Sequence, residues 1–340
     1  MDTLSHILVG GLVGNAVLGR RIGNKAVLWG AAVALLPDID VPLGNLMSDM
    51  DELIFHRNIT HSLPFIALMA PLLGYLLSRL HRHDGVSWQP WAWLCGLVLL
   101  SHLSIDLFTS YGIQLLQPFS NTAYSIASIS VIDPLYTLPL LLAFPAVLLL
   151  RRERRLRLWL GYGALSLSTA YLGLTVVNKL QMQHAFERQL YVQGIDARRT
   201  FVKPTFFNNI LWRGIAETDD AYWVGFRSLF DSEPDIRFQR FAKNHDLLSG
   251  LYEQEAVRRL VRVSDGYYKA ERRGEHLLVH DMRYGKGFEW MSTERDFVFS
   301  YRLVGLDESG PLSIETIESR IDPERERASL AELLARIRGV

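Results

Sequence analysis

The chain has 340 residues, 36 Lys and Arg against 36 Asp and Glu, a formal net charge of zero and one cysteine. Zero net charge removes the global basic field expected of a nucleic-acid binder. A single cysteine excludes an internal disulfide and a cysteine-built zinc knuckle, so any metal must be held by His and carboxylates.

These averages conceal a division. Residues 1–178 are rich in Leu, Ala, Gly and Val, whereas 179–340 carry most of the Arg, Glu and Asp. The N-terminus, Met1-Asp2-Thr3-Leu4-Ser5-His6, has no basic n-region and no Ala-x-Ala cleavage site, so Met1 is expected to begin the mature protein. Apolar stretches at 7–18 and 26–36 are short for a hydrocarbon core of ~30 Å, while those at 63–80, 91–108, 135–150 and 158–177 are longer. Trp88, Trp91, Trp93 and Trp159 near their ends suit interfacial anchors. The expected architecture is an all-α multi-pass membrane domain of about six helices over 1–178, followed by a small α+β extracytoplasmic domain over 179–340.

Orientation follows from the basic turns at 20–25, 79–83 and 151–157, which alternate with loops poor in Lys and Arg and are expected in the cytoplasm. The same assignment puts His6, Asp38, Asp40, His61, Asp106 and Asp133 at segment ends on the outer face. In the second half, 179–199 reads as a polar helix continuing the sixth span. Residues 201–215 and 222–230 form a hairpin across Glu217-Thr218-Asp219-Asp220, and 252–263 is a helix. A second hairpin, 267–273 with 276–284, crosses Gly274; 297–304 is a strand, and 323–337 is a closing helix.

The stretch Ala34-Leu35-Leu36-Pro37-Asp38-Ile39-Asp40 organises the chemistry. It places two carboxylates at the end of an apolar helix, where the macrodipole is negative and a cation would be welcome. His102 and Asp106 stand one helical turn apart on one face of an otherwise apolar span, so both can grip one ion; a His–Asp bond that merely joins helices is the plain alternative. His61 precedes a helix, where the dipole favours a neutral, ligating imidazole. Arg57 is the lone basic residue between Asp38 and His61, and its planar fork suits a phosphate; anchoring to a lipid headgroup is the other reading. His56 is a further candidate substrate contact, Thr60 and Ser62 read as helix caps, and His6 with Asp2 could add an imidazole and a carboxylate. The expected metal ligands are His6, Asp38, Asp40, His61, His102 and Asp106, with Asp40, Arg57 and His56 as catalytic candidates. Such ligands suit zinc first, with manganese and iron open, and one or two ions.

Four blocks, Met1-Asp2 with His6 and Gly10, Pro37-Asp38-Ile39-Asp40, His56-Arg57-x-x-Thr60-His61-Ser62, and His102-x-x-x-Asp106, together resemble the YdjM-like inner-membrane hydrolases, also described as LexA-binding. The resemblance spans roughly residues 1–178 and implies a bacterial inner-membrane, metal-dependent hydrolase without naming a substrate. More distantly the order of blocks is similar to zinc-dependent phospholipase C and single-strand nucleases. Their third zinc needs histidines that this chain lacks between His102 and His184. The resulting expectation is a membrane hydrolase cleaving a phosphoester of a small molecule or lipid with a metal-activated water at the outer membrane face. The alternatives are a membrane transporter or ion-binding protein, and a regulatory protein with a structural metal. The expected partner is membrane lipid, with no nucleic acid, and a LexA-type repressor enters only through the family name.

Overall fold

The computed structural model describes residues 1–44, 46–49, 51, 57–286, 296–305, 312–317 and 332–339. The chain divides into two compact units. Unit 1 comprises Met1–Leu43, His56–Lys179 and Pro204–Asn209, and unit 2 comprises Gly44–Phe55, Leu180–Lys203 and Ile210–Val340.

In unit 1, α1 (Thr3–Ile22) starts on Asp2, whose carboxylate accepts the Ser5 N–H at 3.0 Å and the Ser5 hydroxyl at 2.7 Å. Asp2 is therefore the N-cap of α1. Arg20 and Arg21 in the last turn complement the negative helix end, and Gly23 at φ 62° lets the chain reverse into α2 (Asn24–Ala34). These two helices touch through glycine: a Cβ on Gly10 would stand 2.5 Å from both the Gly30 carbonyl oxygen and the Ala34 Cβ.

The apolar stretch expected over 26–36 ends earlier, at Ala34, because Pro37 has no N–H to continue the ladder. Leu35 and Leu36 bond back to Ala32 and Val33 as the helix tightens. A 3₁₀ turn, Pro37–Ile39, carries Asp38, and Asp40 opens the short helix α3 (Asp40–Gly44). Asp40 thus begins a helix rather than ending one, a correction to the sequence expectation.

Helix α4 (Leu63–Leu80) is capped by Ser62, whose hydroxyl accepts the Phe65 N–H at 3.2 Å. Leu68, Leu72, Leu76 and Leu80 recur every fourth residue and are exposed, Leu68 by 67% and Leu80 by 63%. An outward leucine stripe of this kind suits contact with lipid. Helix α5 (Trp88–Phe108) is more enclosed, and Gly74 of α4 packs against the Ala92 backbone.

Helix α6 (Pro134–Leu149) starts on Asp133, which accepts the N–H groups of Leu135 and Tyr136 and the Tyr171 hydroxyl. This residue is a buried cap, which gives its place at a segment end a structural cause. The long helix α7 (Arg155–Val192) merges the expected sixth span with the polar helix after it. Among the described residues, three helices, α4, α5 and α7, are long and apolar enough to cross a membrane, or four if α2 with the segment bent 46° from it counts as one span. All six expected helices form. However, α1 falls outside the set that passes on length and hydropathy, and α6 has only 16 residues.

The three basic turns meet at one end of unit 1. Lys25 pairs with Asp84 at 2.8 Å, Arg152 donates to the Arg21 carbonyl at 2.9 Å, and buried Arg157 donates to Asn15 and Asn24 at 2.8 Å each.

Unit 2 holds two four-stranded antiparallel sheets. The first runs β1 (Arg199–Pro204), β2 (Leu211–Glu217), β3 (Ala221–Ser228), β4 (Gln239–Ala242), and the second β5 (Tyr268–Arg273), β6 (His276–Asp281), β7 (Ser300–Val304), β8 (Ser313–Ile317). The β2–β3 hairpin turns where expected, with Glu217 opposite Tyr222. The single strand expected over 201–215 is instead two, because Pro204 stops β1 and the chain returns to unit 1 at Pro204–Asn209. There Asn209 donates to the Ser128 carbonyl at 2.6 Å.

Helix α8 (Glu255–Val263) lays Ala256, Val257 and Leu260 on the second sheet against Ala270, Val279 and Leu303. Glu217 is held between Arg199 and Lys243; burial raises its carboxyl pKa, but the two cations outweigh that and lower it below its ordinary value. The closing helix expected over 323–337 lies largely outside the described residues; its part at 332–337 is helical.

Candidate metal centre

Three elements of unit 1 bring four side chains together at the end away from the basic turns. The turn after α2 supplies Asp38, the 3₁₀ turn Ile59–His61 supplies His61, and the last two turns of α5 supply His102 and Asp106. His61 Nε2 lies 3.4 Å from Asp38 Oδ1, 3.3 Å from His102 Nε2 and 3.5 Å from Asp106 Oδ2. His102 Nε2 lies 3.5 Å from both Asp38 Oδ1 and Asp106 Oδ2. All four atoms fall within 4.8 Å of one another, so this group could hold a metal ion. Ligands about 2.0–2.2 Å from a tetrahedral zinc stand about 3.3–3.6 Å apart, and five of the six edges here have that length.

Proton bookkeeping supports the same reading. His102 Nδ1 sits 2.8 Å from the Ala34 carbonyl oxygen, which can only accept, so a neutral His102 ring keeps its lone pair on Nε2. The Thr60 hydroxyl donates to Asp40 Oδ2 at 3.0 Å and accepts from His61 Nδ1 at 3.1 Å, which leaves the His61 Nε2 lone pair facing the centre too. Asp106 Oδ2 is buried without a hydrogen-bond partner. Two imidazole lone pairs and two carboxylate oxygens therefore point at one volume, where only a cation or protons satisfy them. Burial lowers the pKa of His61, yet the Asp106, Asp38 and Asp40 carboxylates outweigh it and push it up to about 10. This excess of negative charge is what a divalent ion would neutralise in place of a proton.

The other predicted residues fall into distinct positions. His6 is buried, stacks on His102 with centroids 3.7 Å apart, and points Nε2 at Asp106 Oδ1, 3.3 Å away; neither ring nitrogen has a hydrogen-bond partner. It adjoins the four converging ligands on the second Asp106 oxygen, which also meets the Met1 amine and, at 3.4 Å, the Arg57 guanidinium.

Asp40 stands one layer back. Its carboxylate takes the Arg57 backbone N–H at 2.9 Å and the Thr60 hydroxyl and faces His61 Nδ1, so it is placed to orient a ligand, not to be one of the four. Arg57 is buried, donates to Thr109 at 3.1 Å and covers the Tyr111 ring at 4.9 Å. Its φ of 58° is a left-handed backbone that costs about 1 kcal/mol in a non-glycine residue. Retention of that strain next to the ligands is typical of a functional position. His56 lies outside the described residues.

Sequence reasoning missed the Ala34 carbonyl and the Thr60 relay, and it took Thr60 as a cap. Adjacency to His61 was the available signal for Thr60; a main-chain carbonyl leaves none.

The family signature in these four blocks extends through the helices that carry them. The YdjM inner membrane protein family matches residues 1–182. The chain belongs to this family. As a YdjM family member with several apolar helices it is an inner-membrane protein. It is also similar to the Uncharacterized protein YfhP of Bacillus subtilis (strain 168), 28% identical over 237 residues that cover 66% of this chain and 68% of the relative. No solved structure matches the chain. The more distant likeness to zinc-dependent phospholipase C and the nucleases gains no support from these comparisons.

Loss of the outer layer should be measurable on its own. Asp40→Asn keeps the shape but weakens acceptance from Thr60 and Arg57, and orienting partners of metal-bound histidines are worth about 10–100-fold in affinity. Chelator competition on the full chain is expected to show metal binding weakened within that range, with the helical content unchanged. An affinity equal to wild type would mean that Asp40 only closes the loop.

Proposed function

We propose that the chain is a membrane-bound, metal-dependent hydrolase that cleaves a phosphoester, its centre built from Asp38, His61, His102 and Asp106 with His6 beside them. The carrying observation is the convergence of four acceptor atoms, one of them the unpartnered Asp106 Oδ2, at one largely buried point. A divalent ion bound there supplies Lewis acidity and lowers the pKa of a water toward neutrality.

The chain's own residues do the rest. The carboxylate of Asp38, the one ligand side chain with appreciable exposure, is positioned to take a proton from the attacking water. Arg57, held by Asp106, Thr109 and Tyr111, offers its guanidinium to the charge that develops on the phosphoester oxygens. Asp40 and Thr60 keep His61 in its ligating tautomer. The concentration of basic turns at the opposite end favours a multi-pass arrangement with that end in the cytoplasm and the centre at the outer face. Unit 2 would then be extracytoplasmic, away from any cytosolic repressor. This reading does not need the third zinc of the phospholipase-like enzymes.

The test is hydrolysis of bis(4-nitrophenyl) phosphate by the purified chain in detergent. Activity is expected to disappear, by at least 100-fold, after chelation and to return on adding zinc or manganese. Metal uptake into proteoliposomes without any ester hydrolysis would favour the transporter reading instead.

A further inference from the structure

Three of the four converging side chains are sealed and one is not. Those of His61, His102 and Asp106 have no exposure, whereas that of Asp38 is 22% exposed. The way into the centre therefore runs past Asp38. Asp38 follows the break of the bent apolar pair Asn24–Ala34 and Pro37–Gly44, as the second residue of its second segment. The turn that carries it packs against the turn that carries His61. Over residues 35–43 and 57–63 every exposed side chain is Leu, Ile, Val or Pro, among them Leu35, Ile39 at 47%, Ile59 at 50% and Leu63. Apart from Asp38 itself, the Asp and Arg residues of these segments, Asp40 and Arg57, are turned inward.

Among the described residues of these two segments, an entrance rimmed in this way offers a hydrated substrate little polar contact beyond Asp38 and the half-buried Asn58 and Thr60. Left in water, each such half-exposed side chain forgoes part of the free energy that burial would give it. A bilayer removes that cost, and the rim is continuous with the apolar segment bent at this break in an inner-membrane protein.

We propose that the opening at Asp38 faces the lipid leaflet, and that the substrate is a membrane-resident phospholipid-type amphiphile that enters sideways. Its phosphoester reaches the centre past Asp38 while its acyl chains stay along Leu35, Ile39, Ile59 and Leu63. The substrate half rests on the hydrolase reading above; the placement of the opening does not.

Two measurements on the full chain in nanodiscs of phosphatidylethanolamine and phosphatidylglycerol test this. Ile39→Cys labelled with bimane reports the placement, because the native Cys95 is fully buried and leaves the label to position 39. Doxyl-labelled lipids are expected to quench it several-fold more strongly than aqueous iodide. Quenching by iodide with no effect of doxyl lipid overturns the placement. The substrate is tested by comparing the turnover of bilayer phospholipid with that of the same headgroup ester carrying short acyl chains, held as monomers. At least a tenfold preference for the bilayer form is expected, and a ratio near one overturns the lipid substrate. If neither ester is cleaved by the zinc-loaded chain, the hydrolase reading fails along with the substrate, while the quenching result still decides where the opening faces.

Discussion

His102→Ala and Asp106→Ala are each expected to bind zinc or manganese more than about 100-fold more weakly than wild type, since loss of an orienting partner alone costs about 10–100-fold and these residues supply the ligand atoms themselves. Wild type should retain at least one ion per chain through purification.

The two variants will differ in stability. His102 has its Nδ1 on the Ala34 carbonyl, so its truncation leaves one main-chain acceptor without that donor. Asp106 faces the Met1 amine, His6 and Arg57 on one oxygen and the ligand cluster on the other. Removal of its charge leaves a buried guanidinium without its carboxylate, a loss of about 3–5 kcal/mol in comparable pairs. Asp106→Asn removes the charge but keeps the shape, and so separates charge loss from the cavity that truncation leaves. Elemental analysis of detergent-purified, folding-checked samples reads the outcome. Wild type that stays metal-free after zinc reconstitution would sink the metal centre, and the His102–Asp106 pair would then be a helix-joining or proton-linked element.

Gly10→Val is expected to lower stability by about 2–3 kcal/mol and to weaken metal binding although it carries no ligand. The reason is position. A Cβ at Gly10 would press on the Gly30 carbonyl and the Ala34 Cβ, both backbone-fixed parts of α2, and neither can swing aside. Ala34 is also the residue whose carbonyl orients His102, and Asp38 follows four residues later, so a shift of α2 displaces two of the four ligands together. Gly163→Ala in α7 is the control. Nothing lies within 4 Å of its added methyl, and the better helix former should leave stability equal or slightly higher. Thermal unfolding in detergent with parallel chelator titration distinguishes the cases. An unchanged melting temperature for Gly10→Val would mean that α1 and α2 do not hold this close contact.

Much of the site was legible because its chemistry is costly in an apolar sequence. Ionisable residues inside apolar helices need partners, so His102 with Asp106 one turn later, His6 near the start of α1 and Asp38 after an apolar run all stood out. The separation between carboxylates did not. Asp38 and Asp40 are equivalent as letters, and the turn at Pro37 decides that one faces His61 Nε2 and the other backs its Nδ1. Six helical elements were readable from apolar runs. How many are long and apolar enough to cross a bilayer depends on length and on the bend after α2, and among the described residues three, or four with the bent pair, meet that test.

The sequence by itself determined the division into an apolar helical half and a polar sheet-forming half, the residue types able to hold a metal, and the family. Those properties follow from composition and local spacing, which burial cost makes visible along a single chain. Tertiary structure alone decided which ligands share one centre, that Thr60 and a main-chain carbonyl set the tautomers of two histidines, and that the open edge at Asp38 is apolar. Such facts depend on atoms brought together across a hundred residues, as in the contact between Met1 and Asp106, and no local pattern encodes a distance of that kind.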